Sequence, residues 1–254
     1  MVGNPYRDFI DTLFYREAAI PDARFAIVNF NYDGLLAKML VDAVRARGND
    51  FDDGQLAMIG GGYVHDKRAM EARPISCTTE AAAEFFIHFM PHGTITVLKA
   101  GESFISQEHI IYSSPPSITA GRLWEASEHL PPMIDFPWER DEIVPAQHRR
   151  QLDIAAAAVR EAQRIHFIGL AGHPLMRDSL RRIFHPITNA KEELASKRFF
   201  VATAESDAKR TFRNICDCLL PSTWLGDTEW REASLNLTPC GSFEQWIKLR
   251  PHYD

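Results

Sequence analysis

The stretch FAIVNFNYDGLLAKMLVDAV, residues 25–44, decides how this chain is expected to fold. Its first six residues form a short apolar run, which is typical of a β-strand covered on both faces. A polar turn, 31–34, follows, and apolar residues then recur at the spacing of an amphipathic helix that Gly48 ends. Strand, tight turn and helix form the unit from which α/β folds with parallel sheets are built.

The same alternation appears near both ends of the chain. Helical spacing of apolar residues precedes the opening stretch, and helix, strand, helix and strand follow one another after Pro145. We therefore predict an α/β fold, Rossmann-like, with a mainly parallel sheet flanked by helices. The other expected helices are 5–17, 151–163 and 171–184, and the expected strands, adjacent in one sheet, are 25–30, 165–168 and 199–203.

The middle region, residues 51–145, lacks this regularity. We predict that it forms an irregular subdomain or insertion within a single domain, 1–254. The segment QLAMIGGGYV (55–64) predicts a strand, a glycine turn and a second strand, because its glycines lack the G-x-G-x-x-G spacing of a nucleotide loop. CTTEAAAEFFIHF (77–89) predicts a helix, and TITVLKA (94–100) predicts a strand.

The composition narrows the class of protein. The net charge is −6, so we expect no direct nucleic-acid binding and no attraction to anionic membranes. No apolar run has the length of a membrane span, and the N-terminal residues lack a signal-peptide pattern, so a cytoplasmic protein is expected. The four cysteines lack the paired spacing of a zinc site, and no metal site is expected. Cys216 and Cys218 could bind metal or oxidise, but such cysteines more often only pack.

Polar and small residues directly follow three of the predicted strands. In an open parallel sheet, ligands bind beyond the carboxyl ends of the strands. A glycine at such an end lets the backbone approach a ligand, and Asn or Asp side chains hydrogen-bond sugar hydroxyls and amides. The candidate residues at these ends are Asn31, Asp33, Gly169, Leu170, Ala171, Gly172 and Glu205.

Three candidates also have a purely structural explanation. Asn31 and Asp33 belong to residue types that turns favour, because their side chains hydrogen-bond the local backbone. His92, in PHGTI (91–95), is either a candidate general base beside a glycine or a loop histidine among the ten in the chain. Both interpretations stay open for the turn and for the histidine.

Taken in order, three segments resemble motifs of the sirtuin-like proteins, especially their divergent bacterial branch. They are FNYDGLL (30–36), PHGTI (91–95) and QRIHFIGLAGHPLMRD (163–178), and the resemblance covers most of the chain. It implies a Rossmann-like domain that binds NAD and breaks the nicotinamide–ribose bond. Many bacterial members hydrolyse NAD in this way, often in defence against phage.

The resemblance also implies roles for individual residues. Asn31 would hold the ribose or the attacking water, and Asp33 would hydrogen-bond the nicotinamide amide. His92 would act as the base on a ribose hydroxyl, so His92 and Asn31 are the expected catalytic residues. Gly169 would let the cofactor lie against the backbone. A histidine with a pKa near neutral suits such a proton transfer.

The chain also departs from the family pattern. No glycine-rich phosphate loop precedes Phe25, Phe30 stands where classical members have Gln, and Leu170 and Ala171 replace a Thr-Ser pair. The zinc cysteines of the deacetylases are absent, which favours the divergent branch. An alternative is therefore a catalytically inactive sirtuin-like module for nucleotide sensing or protein interaction. A homo-oligomer or a partner protein is also considered, as is an unrelated α/β enzyme.

Overall fold

The structure is a computed structural model, and the chain forms two compact units in it. The terminal unit consists of residues 1–12 and 152–254, and the central unit consists of residues 13–151. That residues 1–254 form a single domain stays a prediction. The structure describes residues 5–14, 21–22, 25–31, 34–48, 52–66, 71–74, 87–91, 93–100, 103–106, 132–134, 146–170, 176–188, 191–203, 208–219 and 236–249.

Helices and strands alternate along much of the described chain. The helices are α1 (Pro5–Thr12), α2 (Leu35–Ala46), α3 (Asp53–Ile59), α4 (Ala146–Glu161), α5 (Arg177–Thr188), α6 (Lys191–Ser196), α7 (Ala208–Leu219) and α8 (Phe243–Leu249). The strands are β1 (Ala26–Val28), β2 (Tyr63–Asp66), β3 (Glu71–Pro74), β4 (Ile87–Phe89), β5 (Gly93–Ala100), β6 (Ser103–Ser106), β7 (Pro132–Ile134), β8 (Arg164–Ile168), β9 (Arg198–Ala202) and β10 (Asn236–Gly241).

The opening stretch folds as its pattern predicts. The strand β1 is followed, after the turn, by the helix α2, which buries Leu40 and Val44 completely. Gly48, with φ 80°, lies directly after the helix end and takes the left-handed conformation that commonly ends a helix. β1 pairs in parallel with β4, so the central unit contains a short parallel sheet next to helices.

A second, larger sheet of the central unit is antiparallel. Its five strands lie in the order β2-β3-β6-β5-β7, and β5 confirms the strand predicted at 94–100. The middle region was predicted to be irregular, whereas its described residues include this regular sheet. Short strands joined antiparallel carry a weak periodic signal, which explains why the pattern of the sequence did not reveal β3, β6 and β7.

Two predictions for the middle region were wrong. Residues 55–59 form the end of α3 and not a strand, because Asp52 and Gln55 make a capping box that begins a helix there. Residues 87–89 form the strand β4 and not the end of a helix. Pairing with β1 and burial of Phe89 outweigh the helical spacing of its neighbours.

The terminal unit contains a three-stranded parallel sheet in the order β10-β9-β8. Helices cover both of its faces. On one face Phe167 of β8 stacks on Phe184 of α5, and on the other face His166 accepts a hydrogen bond from the indole Nε1 of Trp246 in α8, at 3.0 Å. The predicted order of helix, strand, helix and strand after Pro145 is confirmed, while β10 and α8 were not predicted.

The prediction that all three expected strands are adjacent in one sheet is wrong. β8 and β9 are neighbours, with Ile165 opposite Phe199, but β1 pairs with β4 among the described strands. An apolar run predicts that a strand is buried and gives no information about its neighbour. The coarser prediction, an α/β protein with short parallel sheets flanked by helices, is confirmed.

The glycine turn before β2 offers a test of this packing. A Cβ on Gly62, whose φ is 98°, would collide with Nε2 of the buried Gln151. We expect Gly62→Ala to lower the free energy of unfolding by about 2–4 kcal/mol, from backbone strain and a displaced buried amide. The measurement is urea denaturation followed by circular dichroism.

Gly48→Ala is the matched control for this variant. Gly48 has a similarly positive φ, and no heavy atom of the described residues lies within 4 Å of its would-be Cβ. Only the backbone strain applies, so we expect a loss of about 1 kcal/mol. Equal losses in the two variants would contradict the packing of Gln151 against this turn.

Candidate functional site

Asn29 hydrogen-bonds the backbone at the start of the turn after β1. The backbone N–H of Asn29 donates to the Phe89 carbonyl at 2.7 Å, which extends the β1–β4 ladder by one residue. The side-chain Oδ1 of Asn29 accepts a hydrogen bond from the Asn31 backbone N–H at 3.0 Å. Asn29 is only 8% exposed, so this residue performs the turn-forming role that asparagine often has.

The side chain of Asn31 lies at the surface. Asn31 is exposed, and within the described residues its carboxamide has no hydrogen-bond partner. A carboxamide offers both a donor and an acceptor, which suits a ribose hydroxyl or a water molecule. The predicted role of Asn31 in ligand binding stays a prediction.

A buried histidine, His88, lies beside this turn in β4. Its Nδ1 lies 3.1 Å from the Ile59 carbonyl oxygen, so Nδ1 carries the hydrogen and Nε2 is an unprotonated acceptor. Burial lowers the pKa of His88 to about 4, against the smaller opposing effect of the Ile59 carbonyl. His88 is thus neutral at pH 7. Sequence reasoning selected His92 and missed His88, although a histidine inside the apolar run FFIHF was a visible signal.

Two buried polar atoms near this turn have no hydrogen-bond partner within the part of the chain that the structure describes: Nδ2 of Asn29 and Nε2 of His88. Ile27 is in register with His88, and side chains alternate along a strand, so Asn29 lies on the same face as His88. Nδ2 is a donor and Nε2 is an acceptor. Buried atoms of this kind reduce stability, and such sites are commonly functional.

A third buried polar side chain, Gln151 of α4, hydrogen-bonds backbone groups next to β4. Its Oε1 accepts from the Met90 backbone N–H at 3.1 Å, and its Nε2 donates to the Gly61 carbonyl at 3.3 Å. Gly61 also forms a parallel bridge with Phe89. The Gln151 amide therefore takes the place of a peptide group beside the sheet, and it explains why Gly62 has no room for a side chain. This turn is structural and does not resemble a phosphate loop.

In the terminal unit, the carboxyl ends of the three parallel strands lie at one edge. Gly169 follows β8 with φ 66°, and its N–H donates to the Ala202 carbonyl at 2.9 Å. At the next strand, the Thr203 N–H donates to the Gly241 carbonyl at 2.8 Å. Gly169 is exposed, and among the described atoms none lies within 4 Å of where its Cβ would be. A ligand can therefore approach the backbone at Gly169 closely.

The end of β10, the third strand of this sheet, was not predicted from the sequence. Gly241, with φ 71°, ends β10 after a bulge, and Ser242 and Gln245 then form a capping box for α8. The segment CGSFEQW, in which a serine precedes a glutamine by three residues, carried the signal for this helix start.

The predicted site residues are distributed as follows. Asn31 belongs to the central unit, and Gly169 and the half-buried Leu170 belong to the terminal unit. The remaining candidates lie outside the described residues, and their roles stay predictions: Asp33, His92, Ala171, Gly172 and Glu205.

The described cysteines are buried free thiols. Burial raises the pKa of the Cys218 thiol and of the Cys240 thiol, so both are protonated at neutral pH. In the part of the chain that the structure describes, no group of three His, Cys, Asp or Glu side chains could hold a metal ion. Over the same residues, no helix has the length and apolar character needed to cross a membrane. Cys216 and Cys218 act here as packing residues of α7.

No protein-family model, curated protein or solved structure matches this chain. The sirtuin-like resemblance therefore stays a prediction that depends on three short motifs in order.

The buried His88 makes the stability of the central unit depend on pH. An unfolded histidine binds a proton below about pH 6.5, whereas the pKa of folded His88 is about 4. The titration of His88 therefore leaves the free energy of unfolding unaffected above about pH 6.5 and lowers it as the pH falls toward 4. We expect a loss of ~3 kcal/mol over this range, measured by urea denaturation at a series of pH values.

His88→Asn removes the titrating group and keeps a donor near the position of Nδ1. We expect this variant to be less stable at pH 7 but to lose less stability on acidification than the wild type. His185→Asn, which changes an exposed histidine of α5, is the control. If the free energies of unfolding of wild type and His88→Asn fall in parallel from pH 7 to pH 4, the low pKa assigned to His88 is wrong.

Proposed function

We propose that this chain is a sirtuin-like, Rossmann-like protein that binds NAD and hydrolyses its nicotinamide–ribose bond. The observation that carries the proposal is the exposed carboxyl end of β8 at Gly169, where the backbone is open to a ligand. Parallel sheets bind ligands at this edge. The proposal places the protein in the cytoplasm and, through depletion of NAD, in prokaryotic defence.

The edge of the terminal sheet suits an extended ligand. Three neighbouring strands end there, at Gly169, Thr203 and Gly241, and two of these residues are glycines with positive φ. Backbone groups at such turns can bind the phosphates and sugars of a dinucleotide without a cluster of basic side chains. This mode of binding is compatible with a chain whose net charge is −6.

The cleavage step needs groups that orient water and stabilise positive charge. When nicotinamide leaves, the ribose carbon becomes oxocarbenium-like, and water then forms the new C–O bond while giving up a proton. The carboxamide of Asn31, which is exposed and has no hydrogen-bond partner among the described residues, supports a role in orienting the ribose or that water. By resemblance, His92 is the base and Asp33 hydrogen-bonds the nicotinamide amide.

A second candidate function is NAD sensing without turnover. Leu170 favours it, because this half-buried apolar residue follows Gly169 where the family motif has a polar residue. Binding would then change the interaction with a partner protein or a second copy of the chain. The two functions differ in one product, free nicotinamide.

The first experiment tests both candidate functions. NAD is titrated into the purified protein by calorimetry, and the mixture is then analysed by chromatography for free nicotinamide. We expect binding and release, and we expect His92→Ala and Asn31→Ala each to lower the release rate by ~10²–10⁴-fold. Matched controls are His185→Ala and Asn214→Ala, which truncate exposed residues of the same types in α5 and α7.

Each outcome of this experiment selects one conclusion. Binding without nicotinamide release selects the sensing function, and no binding overturns both candidates. A large fall in melting temperature in His92→Ala or Asn31→Ala would instead indicate a structural role for that residue.

A second variant tests the binding edge itself. A methyl group on Gly169 would occupy the space in which the ligand is proposed to lie, at a cost of about 1–3 kcal/mol. We therefore expect Gly169→Ala to raise the Kd for NAD roughly tenfold or more, measured by calorimetry. Gly48→Ala, with a comparable positive φ in the central unit, should leave the Kd unchanged. An unchanged Kd in Gly169→Ala would remove this edge from the binding site.

A further inference from the structure

The contact between Asn29 and Asn31 connects a buried residue to a proposed catalytic residue. Asn29 is nine-tenths buried and continues the β1–β4 ladder through its bond to the Phe89 carbonyl, at 2.7 Å. From this fixed position its Oδ1 accepts the Asn31 N–H at 3.0 Å. The backbone of Asn31 is thereby anchored, while its own side chain stays exposed and unbonded among the described residues.

We propose that Asn29 is a positioning residue, which holds Asn31 where its carboxamide meets the ribose or the attacking water. The inference rests on the proposed function and adds to it a residue that nothing in the family motifs marked. Asn29 itself touches neither substrate nor water in this scheme. It acts through the Asn31 backbone.

The unsatisfied atom of Asn29 supports a role beyond folding. A buried asparagine selected only for packing would have both ends of its carboxamide hydrogen-bonded. Here Oδ1 accepts a hydrogen bond and Nδ2 has no partner among the described residues, an arrangement that lowers stability. An apolar side chain would avoid that cost but would leave the Asn31 N–H without this acceptor.

The strand next to Asn29 is held by buried hydrogen bonds, which suits precise placement of Asn31. The neighbouring strand β4 is fixed by His88, whose Nδ1 donates to the Ile59 carbonyl, and by Gln151, whose Oε1 accepts the Met90 N–H. Displacement of a substrate-orienting group by about 1 Å can lower a rate by roughly 10²-fold. Loss of the Asn29 acceptor is therefore expected to act on the rate and not on affinity.

The experiment compares two variants that differ by a single oxygen atom. Asn29→Ala removes the acceptor, and Asn29→Ser restores one, since a serine hydroxyl can accept the N–H two residues ahead. We expect Asn29→Ala to lower kcat for nicotinamide release by ~10–100-fold, with KM changed by about twofold or less. Asn29→Ser should retain kcat within roughly threefold of the wild type. Both variants lose the same packing volume, so a structural effect would be shared.

A third variant separates position from stability. Asn29→Leu keeps the branching and the number of heavy atoms of the side chain, and it removes both the acceptor and the unsatisfied donor. We expect its midpoint in urea to be unchanged or higher, because a buried polar atom without a partner is removed, while kcat falls as it does in Asn29→Ala. A lower midpoint together with an unchanged kcat would overturn the proposal.

A readout independent of NAD follows the Asn31 amide directly. The chain has seven asparagines, so selective ¹⁵N labelling gives few signals, and Asn31→Ala identifies the one of interest. We expect this signal to shift upfield in ¹H and to exchange faster in Asn29→Ala, and to be restored in Asn29→Ser. An identical signal in wild type and Asn29→Ala would overturn the proposal.

The two measurements, nicotinamide release and the Asn31 amide signal, distinguish a failure of the proposed hydrolysis from a failure of the positioning role. If the wild type releases no nicotinamide, the proposed hydrolysis fails, and with it the catalytic consequence of Asn29, whatever the amide spectrum shows. If the wild type is active and Asn29→Ala and Asn29→Ser lose kcat equally, or neither loses it, the hydrolysis stands and the positioning role is overturned.

Discussion

The parallel ladder between β1 and β4 is the constraint on which the described part of the central unit depends. It aligns Ile27 with His88 and continues through the bond from the Asn29 N–H to the Phe89 carbonyl. Parallel strands end at the same edge of a sheet, so this ladder brings the turn after β1 to the level at which β4 ends. The exposed position of Asn31 is a consequence of that alignment.

The polar residues in this ladder have different roles, although all are buried. Gln151 uses both ends of its amide and closes the sheet beside the glycine turn. Asn29 and His88 each use one polar atom and leave one without a partner. A buried side chain with all its polar atoms hydrogen-bonded stabilises the fold, whereas a buried polar atom without a partner lowers stability. Such atoms tend to accompany function. They lie next to the turn to which the sirtuin-like resemblance assigns a catalytic residue.

The ligand site proposed for the terminal unit depends on different features. Its sheet is packed with aromatic side chains, such as Phe167 against Phe199 on one face, and its carboxyl edge consists of small residues and backbone. The proposed ligand site there depends on backbone approach at Gly169. This explains why that part of the site has little signature beyond a glycine after a strand, and why its candidates were chosen by position along the chain.

The sequence by itself determined the type of those elements whose pattern is local. β1, β8, β9 and the helix α2 were predicted because a short apolar run or a single apolar face is needed to bury each of them. The capping box of Asp52 and Gln55 was also readable, and α3 was missed because its own largely apolar segment, 55–59, was taken as a strand. Candidate glycines and asparagines at strand ends were likewise found from local chemistry.

Only the tertiary structure decided which strands pair and which asparagine forms the turn. β1 was expected beside β8 and β9 and instead pairs with β4, whose helical spacing in the sequence was overridden by burial. The bonds of Gln151 to Gly61 and Met90 join residues separated by 90 and 61 positions. Neither propensity nor periodicity contains such partners, because the free energy of a buried hydrogen bond depends on groups that meet only when the chain has folded.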